Sequence, residues 1–266
     1  MNRAEGGPDR PPIVRRGEVE STQVVAFRLA AEGASDRTVV IAEYQRAGRG
    51  RRGRAWEAEP SLGLLASVVI RPRGPAAVWP LLSLATSVAV AETLAGVAGL
   101  AARLKWPNDV LVGGRKIAGI LLESRPGAGA GGAAPGGAPP GHEAADLAGP
   151  VIVAGIGINV GQRAFPRALA EQATSVWLET GREVEREALL SALLEAFDHW
   201  RARLEAEGFG PVRARWLALA DTIGRMVTVD GLVGWALDLD VDGALLVRDG
   251  AALHRVRAGE VDAAGR

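Results

Sequence analysis

Between Gly48 and Arg54 the chain reads Gly-Arg-Gly-Arg-Arg-Gly-Arg, four arginines and three glycines in seven residues, followed by Ala55 and Trp56. Guanidinium groups are forked donors that match phosphate and carboxylate oxygens. Glycine frees the backbone, so amides in such a segment can turn toward an anion. Four like charges repel one another, so the segment is expected to be loose alone and to close over an anionic ligand. No Gly-Lys-Ser/Thr follows, which excludes a Walker phosphate loop. Composition alone favours a solvated basic loop or an Arg/Gly RNA-binding patch.

A second constellation is Lys105-Trp106-Pro107-Asn108-Asp109, continued by Arg115-Lys116-Ile117-Ala118-Gly119-Ile120-Leu121-Leu122-Glu123. On a strand Lys116 shares its face with Ala118, Ile120 and Leu122. An ammonium on an apolar face is costly unless paired; an anionic ligand or a carboxylate such as Asp109 would satisfy it, as would an edge position open to solvent. Trp106-Pro107 reads as turn packing. A third candidate is Val151–Val160, where Val153, Gly155, Gly157 and Asn159 form a nearly bare face. Glycine in a strand marks close approach by a ligand, another backbone or a packed helix. Gly63 and Ser67 open a similar face in Leu62–Ile70. Gln45, before the Arg loop, and Ser21, Thr22 and Gln23, at a helix start, are neutral donors and acceptors able to read an amide or ureido group, or to serve as caps and turn residues.

The elements that must hold these groups are legible in outline. Residues 1–12 read as a tail and Ile13–Arg16 as a weak strand. Ser21 or Thr22 caps a helix that stops at Gly33. Strands are expected at Thr38–Tyr44, Leu62–Ile70 and Val151–Val160, with extended pieces around Arg103–Trp106, Val110–Val112 and Arg115–Ser124. Helices are expected at Trp79–Gly99, Glu185–Glu207 and Pro211–Ala220. The segment Pro126–Gly141 contains only Gly, Ala and Pro, and with its continuation to 149 reads as a flexible insert. After Ile223 short strands alternate with Asp-Gly turns, the texture of a small β-barrel docked on the rest. Strands and helices do not alternate strictly, so an α+β domain fits better than a doubly wound sheet.

The 266 residues allow one large domain plus a small one, and 48% hydrophobic with 23% charged residues is a globular composition. Net charge is zero, which disfavours a non-specific nucleic-acid or anionic-membrane binder. There is no cysteine, and His142, His199 and His254 show no zinc spacing. The N-terminus has no apolar signal segment, so cytoplasmic residence is the expectation. Twenty-nine of the 31 basic residues are arginine; only Lys105 and Lys116 are lysine, and both fall in the second constellation.

Taken in order, AEYQRAGRGRRGRAW (42–56), KWPNDV (105–110), GRKIAGILLE (114–123) and GIGINV (155–160) resemble the biotin protein ligases, or biotin–[acetyl-CoA-carboxylase] ligases, over about residues 19–262. The resemblance implies a catalytic domain akin to class II aminoacyl-tRNA synthetases over 13–222 and a C-terminal SH3-like barrel over 223–266. It implies a two-step reaction: biotin and ATP with Mg2+ give biotinyl-5′-AMP and pyrophosphate, then a lysine of a biotin carboxyl carrier protein is acylated. By motif, Ser21, Thr22 and Gln45 would bind the biotin ureido ring, with Gln23 standing where the family commonly has Asn. Arg49, Gly50 and Arg51 would order over biotin and its phosphate. Lys116, Arg51 and Asp109 would be catalytic, Lys116 at the carboxylate and α-phosphate and Asp109 near the incoming lysine or the metal. Arg51, Arg54, Trp56, Asn108, Lys116 and Asn159 would flank the nucleotide. No resident metal ligands are assigned. About twenty residues precede Ser21, too few for the winged helix-turn-helix of repressor members, so a monofunctional ligase without DNA binding is expected; no membrane partner is implied, and a homodimer is allowed. The rivals are a lipoate or octanoate ligase or transferase of the same architecture, and a non-enzymatic Arg/Gly nucleic-acid binder.

Overall fold

The computed structural model describes residues 11–73, 75–126 and 149–263. The insert expected at 126–149 and the tail expected at 1–12 lie almost wholly outside the described residues. The chain divides into two compact units, one made of the chain up to Arg73 with Leu121–Gly157, the other of Gly74–Ile120 with the chain from Ile158. Both are mixtures of sheet and helix, which bears out the α+β class.

The first unit holds β1 (Ile13–Val19), α1 (Thr22–Ala31), β2 (Val39–Gln45), β3 (Gly63–Ile70), most of β7 (Val151–Asn159) and the last residues of β6 (Arg115–Arg125). Its strands neighbour in the order β1-β2-β3-β7-β6. β1 runs parallel to β2 from Ile13↔Val39 to Val19↔Gln45, longer than its sequence suggests, and β2 is antiparallel to β3. Helix α1 starts where expected: Ser21 is extended and its hydroxyl accepts the Gln23 N–H. Val25, Ala26, Phe27 and Ala30 of α1 share one core with Val14, Val19, Val40, Ala42, Val69, Val151 and Val153. The guanidinium of Arg71, itself buried, donates to the carbonyls of Ala30 and Ala34 at the end of α1, satisfying groups a helix leaves open. Every residue of β3 is buried, including Gly63 and Ser67, so the open face expected there is a covered one.

The second unit carries β4 (Arg103–Lys105), β5 (Asp109–Val112) and the first residues of β6, paired antiparallel in the order β6-β5-β4. Its central helix, α2 (Leu81–Ala98), ends at Gly99 with φ 68, a left-handed cap that a side chain would strain. With the turn before it, α2 is long and apolar enough by composition to cross a membrane, but it is mostly buried as a core helix. Glu92 of α2 accepts the Trp200 indole N–H and the Arg215 guanidinium, both at 2.8 Å, tying in α4 (Arg186–Glu207) and α5 (Phe209–Leu219). Between β7 and α4 stands a one-turn helix, α3 (Val176–Thr180), capped by Ser175. Five residues are too few to show a helical period, which is why sequence reasoning missed it.

The same unit ends in five antiparallel strands, β8 (Met226–Val229), β9 (Leu232–Leu239), β10 (Leu245–Asp249), β11 (Ala252–Val256) and β12 (Val261–Ala263), in the order β11-β10-β9-β8-β12. The Asp-Gly turns are as expected: Asp230 and Gly231 both have positive φ, the turn that joins tightly twisted strands. Burial works against the Asp242 carboxylate, yet the Ala244 N–H with Arg255 and Arg257 holds its pKa below the ordinary value. This small sheet docks within its unit. Gly243 lies so close to Leu81 and Leu84 of α2 that a Cβ would stand 2.9 Å from each. The Trp106 indole donates to the Gly243 carbonyl at 3.1 Å.

Candidate active site

In the first unit the start of α1 meets the end of β2. The Thr22 backbone N–H and hydroxyl both donate to Gln45 Oε1, at 2.8 and 3.0 Å, and the Thr22 hydroxyl also meets Ser67 Oγ at 2.8 Å. Two donors converging on one oxygen fix which way the Gln45 amide faces. Thr22, Gln45 and Ser67 thus form one polar cluster set in an apolar core. Ser21 is buried and serves as the cap. Gln23 is buried, and its amide nitrogen donates to the Leu121 carbonyl of β6 at 3.0 Å.

The Arg/Gly segment is not splayed by its like charges. Gly50 N–H donates to the Arg54 carbonyl at 2.7 Å and Trp56 N–H to the Gly48 carbonyl at 2.9 Å, with Arg49 bridged antiparallel to Ala55. Arg51–Gly53 make a single turn in which Arg52 has φ 55. The result is a miniature hairpin, with Arg49 Nη2 paired to Glu123 Oε1 at 2.6 Å. Local backbone bonds and that carboxylate offset the repulsion that sequence reasoning took as decisive. Gly48 has no room for a side chain, since a Cβ would lie 2.2 Å from the Trp56 carbonyl oxygen.

The bare face of β7 is real, and side chains fill it. A Cβ on Gly155 would stand 3.0 Å from the Gln23 amide, and one on Gly157 would stand 2.4 Å from the Trp56 ring. Gly157 therefore seats Trp56. Gly157→Ala is expected to expel the indole and to cost ~1–3 kcal/mol as an overpacked core site does. Urea denaturation should show that loss, and Trp56→Ala in the same chain should recover most of it. A Gly157→Ala chain as stable as the parent would contradict this seating.

In the second unit Lys116 Nζ lies 2.6 Å from Asp109 Oδ1. Lys116 is paired on both flanks, with Leu111 of β5 and with Ala173, so it is no edge lysine, and its side chain is about one-third exposed. Its backbone is pinned as well: its N–H donates to the Gln172 carbonyl at 2.7 Å and its carbonyl accepts from Thr174 N–H at 2.9 Å. Asp109 opposes Gly119 on one flank and Lys105 on the other. The Asn108 side-chain amide donates to the Ile120 carbonyl at 2.8 Å and its backbone carbonyl accepts the Ile120 N–H at 3.0 Å, which fixes the turn into Asp109. Lys105 lies 3.8 Å from Asp262 of β12.

Asn159 is buried at the end of β7. Its amide donates to the Thr174 carbonyl at 3.0 Å, while Gln162 donates to its oxygen at 3.4 Å. Thr174 and Arg115 both bond Glu179 Oε1, at 2.6 and 2.8 Å, and Ser175 bonds the Gln162 carbonyl at 2.5 Å. Asn159 therefore braces the segment after β7. The structure thus joins Thr22 with Gln45, Arg49 with Glu123, Gln23 and Trp56 with the β7 glycines, and Lys116 with Asp109. Arg51 and Arg54 stand in the hairpin turn and at its exit, and Gly50 in its ladder. Glu123, Gln162, Thr174 and Glu179 had no assigned role by sequence, and Ser67 only that of opening a face with Gly63; a polar residue in an otherwise apolar strand was the available signal for its pairing. Among the described residues no three His, Asp or Glu side chains gather to hold a metal.

Residues 17–133 match the family model described as the Biotin/lipoate A/B protein ligase family. The Biotin--[acetyl-CoA-carboxylase] ligase of Paracoccus denitrificans is 38% identical over 251 residues, covering 91% of this chain and 96% of that protein. The Bifunctional ligase/repressor BirA of Bacillus spizizenii is 31% identical over 256 residues, covering 94% of this chain and 73% of that protein. Among solved structures, the biotin protein ligase from Aquifex aeolicus in complex with biotin and ATP aligns with TM-score 0.76 and 25% identity, covering 94% of this chain and 97% of that one. The family model alone spans biotin and lipoate enzymes, but the near full-length match to a biotin ligase decides between them: this chain belongs to the biotin protein ligase family.

Proposed function

We propose that the protein is an ATP-dependent ligase that activates biotin as biotinyl-5′-AMP and passes it to a lysine of a biotin carboxyl carrier protein. The observation that carries this is the Lys116–Asp109 pair: one of only two lysines in the chain, held at 2.6 Å on an inner strand within the segment that resembles the biotin protein ligases. In the first step a biotin carboxylate oxygen attacks the α-phosphorus and pyrophosphate leaves. Two anions must approach, so a fixed ammonium at the point of contact lowers the barrier. Lys116 is that group, and Arg51 adds a guanidinium from the hairpin. In the second step the carrier lysine attacks the acyl carbon, AMP leaves, and Asp109 orients the amine and receives its proton.

Thr22 and Gln45 read the biotin ureido group. Gln45 Oε1 is committed to Thr22, so its NH2 is the end offered to a carbonyl oxygen. Ser21 and Gln23 shape that pocket from the helix start. Arg49 and Gly50 cover the ligand. Trp56 and Arg54 flank the nucleotide, with Asn108 and Asn159 holding their segments in place. Mg2+ would come with ATP as part of the substrate and offset charge on its phosphates, and Asp109 is the carboxylate of this site that could help to hold it. The catalytic domain spans 13–222, and the terminal strands form an SH3-like barrel.

The test is mass spectrometry of a carrier domain after incubation with the protein, biotin and MgATP. The expected result is one added biotinyl group, absent without ATP and absent when the carrier lysine is Arg. Modification by lipoate or octanoate in preference to biotin would overturn the assignment of substrate.

A further inference from the structure

The Arg49–Glu123 contact, at 2.6 Å, is shorter than the first unit's Arg28–Glu32 and Arg46–Glu18 pairs, at 3.9 and 3.3 Å. It joins the miniature hairpin to the C-terminal end of β6, across 74 positions of sequence. Glu123 spends only one oxygen on it. Glu123 Oε2 is buried and has no hydrogen-bond partner among the described residues. A buried carboxylate oxygen left unpaired lowers stability, so packing does not explain its presence. Charge on the hairpin does: Arg49, Arg51, Arg52 and Arg54 crowd one turn, and Glu123 is the carboxylate that meets Arg49.

We propose that Glu123 is a positioning residue that latches the Arg/Gly hairpin shut by gripping Arg49, and so sets how long the acyl-adenylate is retained. This rests on the ligase reading for what the hairpin covers. The grip has one strong charge-assisted bond in hand and one oxygen in reserve, so it can become a two-point clamp on the forked guanidinium when the hairpin presses down on an anion. Backbone bonds close the hairpin on itself and Trp56 seats its exit on β7, while Glu123 fastens its entry, at Arg49, to β6. Losing the latch would leave Lys116 and Asp109 untouched, since they form their own pair. At saturating biotin and ATP the bound anions themselves hold the hairpin and its Arg51 down, so the effect falls on capture and retention, and little on the chemical step.

The experiment uses the full-length protein and four variants: Glu123→Gln, Glu123→Ala, Arg49→Ala, and Glu123→Ala with Arg49→Ala. Without ligand, limited trypsinolysis within 49–54 reads the latch directly; cleavage is expected to speed severalfold in Glu123→Ala and less in Glu123→Gln. Circular dichroism and thermal melting check that each variant is folded. With ligands, the biotin KM is expected to rise about tenfold in Glu123→Ala, kcat for pyrophosphate release to stay within about twofold, and biotinyl-5′-AMP to escape into solution faster. If Glu123 acts through Arg49, the double variant leaks no more than Arg49→Ala alone. Unchanged trypsin cleavage, a loss confined to kcat, or additive effects in the double variant would each overturn the latch. If the parent protein makes no biotinyl-adenylate at all, the ligase reading fails instead, and the trypsin result still stands on its own.

Discussion

Lys116→Ala is expected to cut biotin-dependent pyrophosphate release by about a hundredfold or more, the order of ~3 kcal/mol lost when one fixed donor to developing charge is removed. The substitution takes away the ammonium and leaves Asp109 facing the incoming phosphates with no counter-charge, so two effects add. A Lys116→Ala, Asp109→Ala chain separates them: if the stranded carboxylate contributes, the double variant adenylates faster than Lys116→Ala. Lys116→Arg is expected to recover little. A planar fork needs more width than a compact ammonium, and the residue is held by its backbone to Gln172 and Thr174, so it cannot swing to compensate. Biotin binding by calorimetry should weaken far less than turnover. Near-normal pyrophosphate release from Lys116→Ala would remove this lysine from the mechanism.

What could be read before the structure was mostly local. Ser21 at the helix start, Gly99 at the end of α2 and the Asp230-Gly231 turn each announce themselves through one residue's own conformational preference. The Lys116–Asp109 pairing was one of several ways to satisfy an inner-strand lysine, and only the ladder between β5 and β6 selects it. The pairs that escaped are distant in sequence. Thr22 meets Ser67 across 45 positions and Arg49 meets Glu123 across 74, and no periodicity encodes such contacts. The Arg/Gly segment was misjudged for the same reason. Its charges are visible in sequence, while the bridge from Arg49 to Ala55 and the carboxylate at Glu123 that restrain it are not. The glycines of β7 were ambiguous between ligand and packing. They accommodate Gln23 and Trp56, side chains whose approach depends on the placement of α1 and the hairpin.

Trp106 shows how a residue with no chemistry of its own governs residues that have it. It sits between Lys105 and Asn108-Asp109, is 2% exposed, and donates its indole N–H to Gly243 while its backbone N–H donates to Thr222 Oγ1 at 2.8 Å. Trp106→Ala removes a large buried ring and orphans the Gly243 carbonyl, a combined loss of ~3–5 kcal/mol. In a chain of this size that is roughly a ten-degree fall in Tm. Trp106→Phe keeps most of the volume and loses the hydrogen bond, so its cost should be ~1–2 kcal/mol. The functional consequence is distinct from the stability one. The β4–β5 turn that aims Asp109 at Lys116 is anchored through Trp106 to the terminal sheet, so adenylation by Trp106→Ala should fall at temperatures where circular dichroism shows the chain fully folded. Trp106→Phe should turn over near the parent rate under the same conditions. If Trp106→Ala, still folded, made adenylate as fast as the parent, the terminal sheet would be ballast to the reaction and the Asp109–Lys116 pair would hold its geometry through β5 and β6 alone.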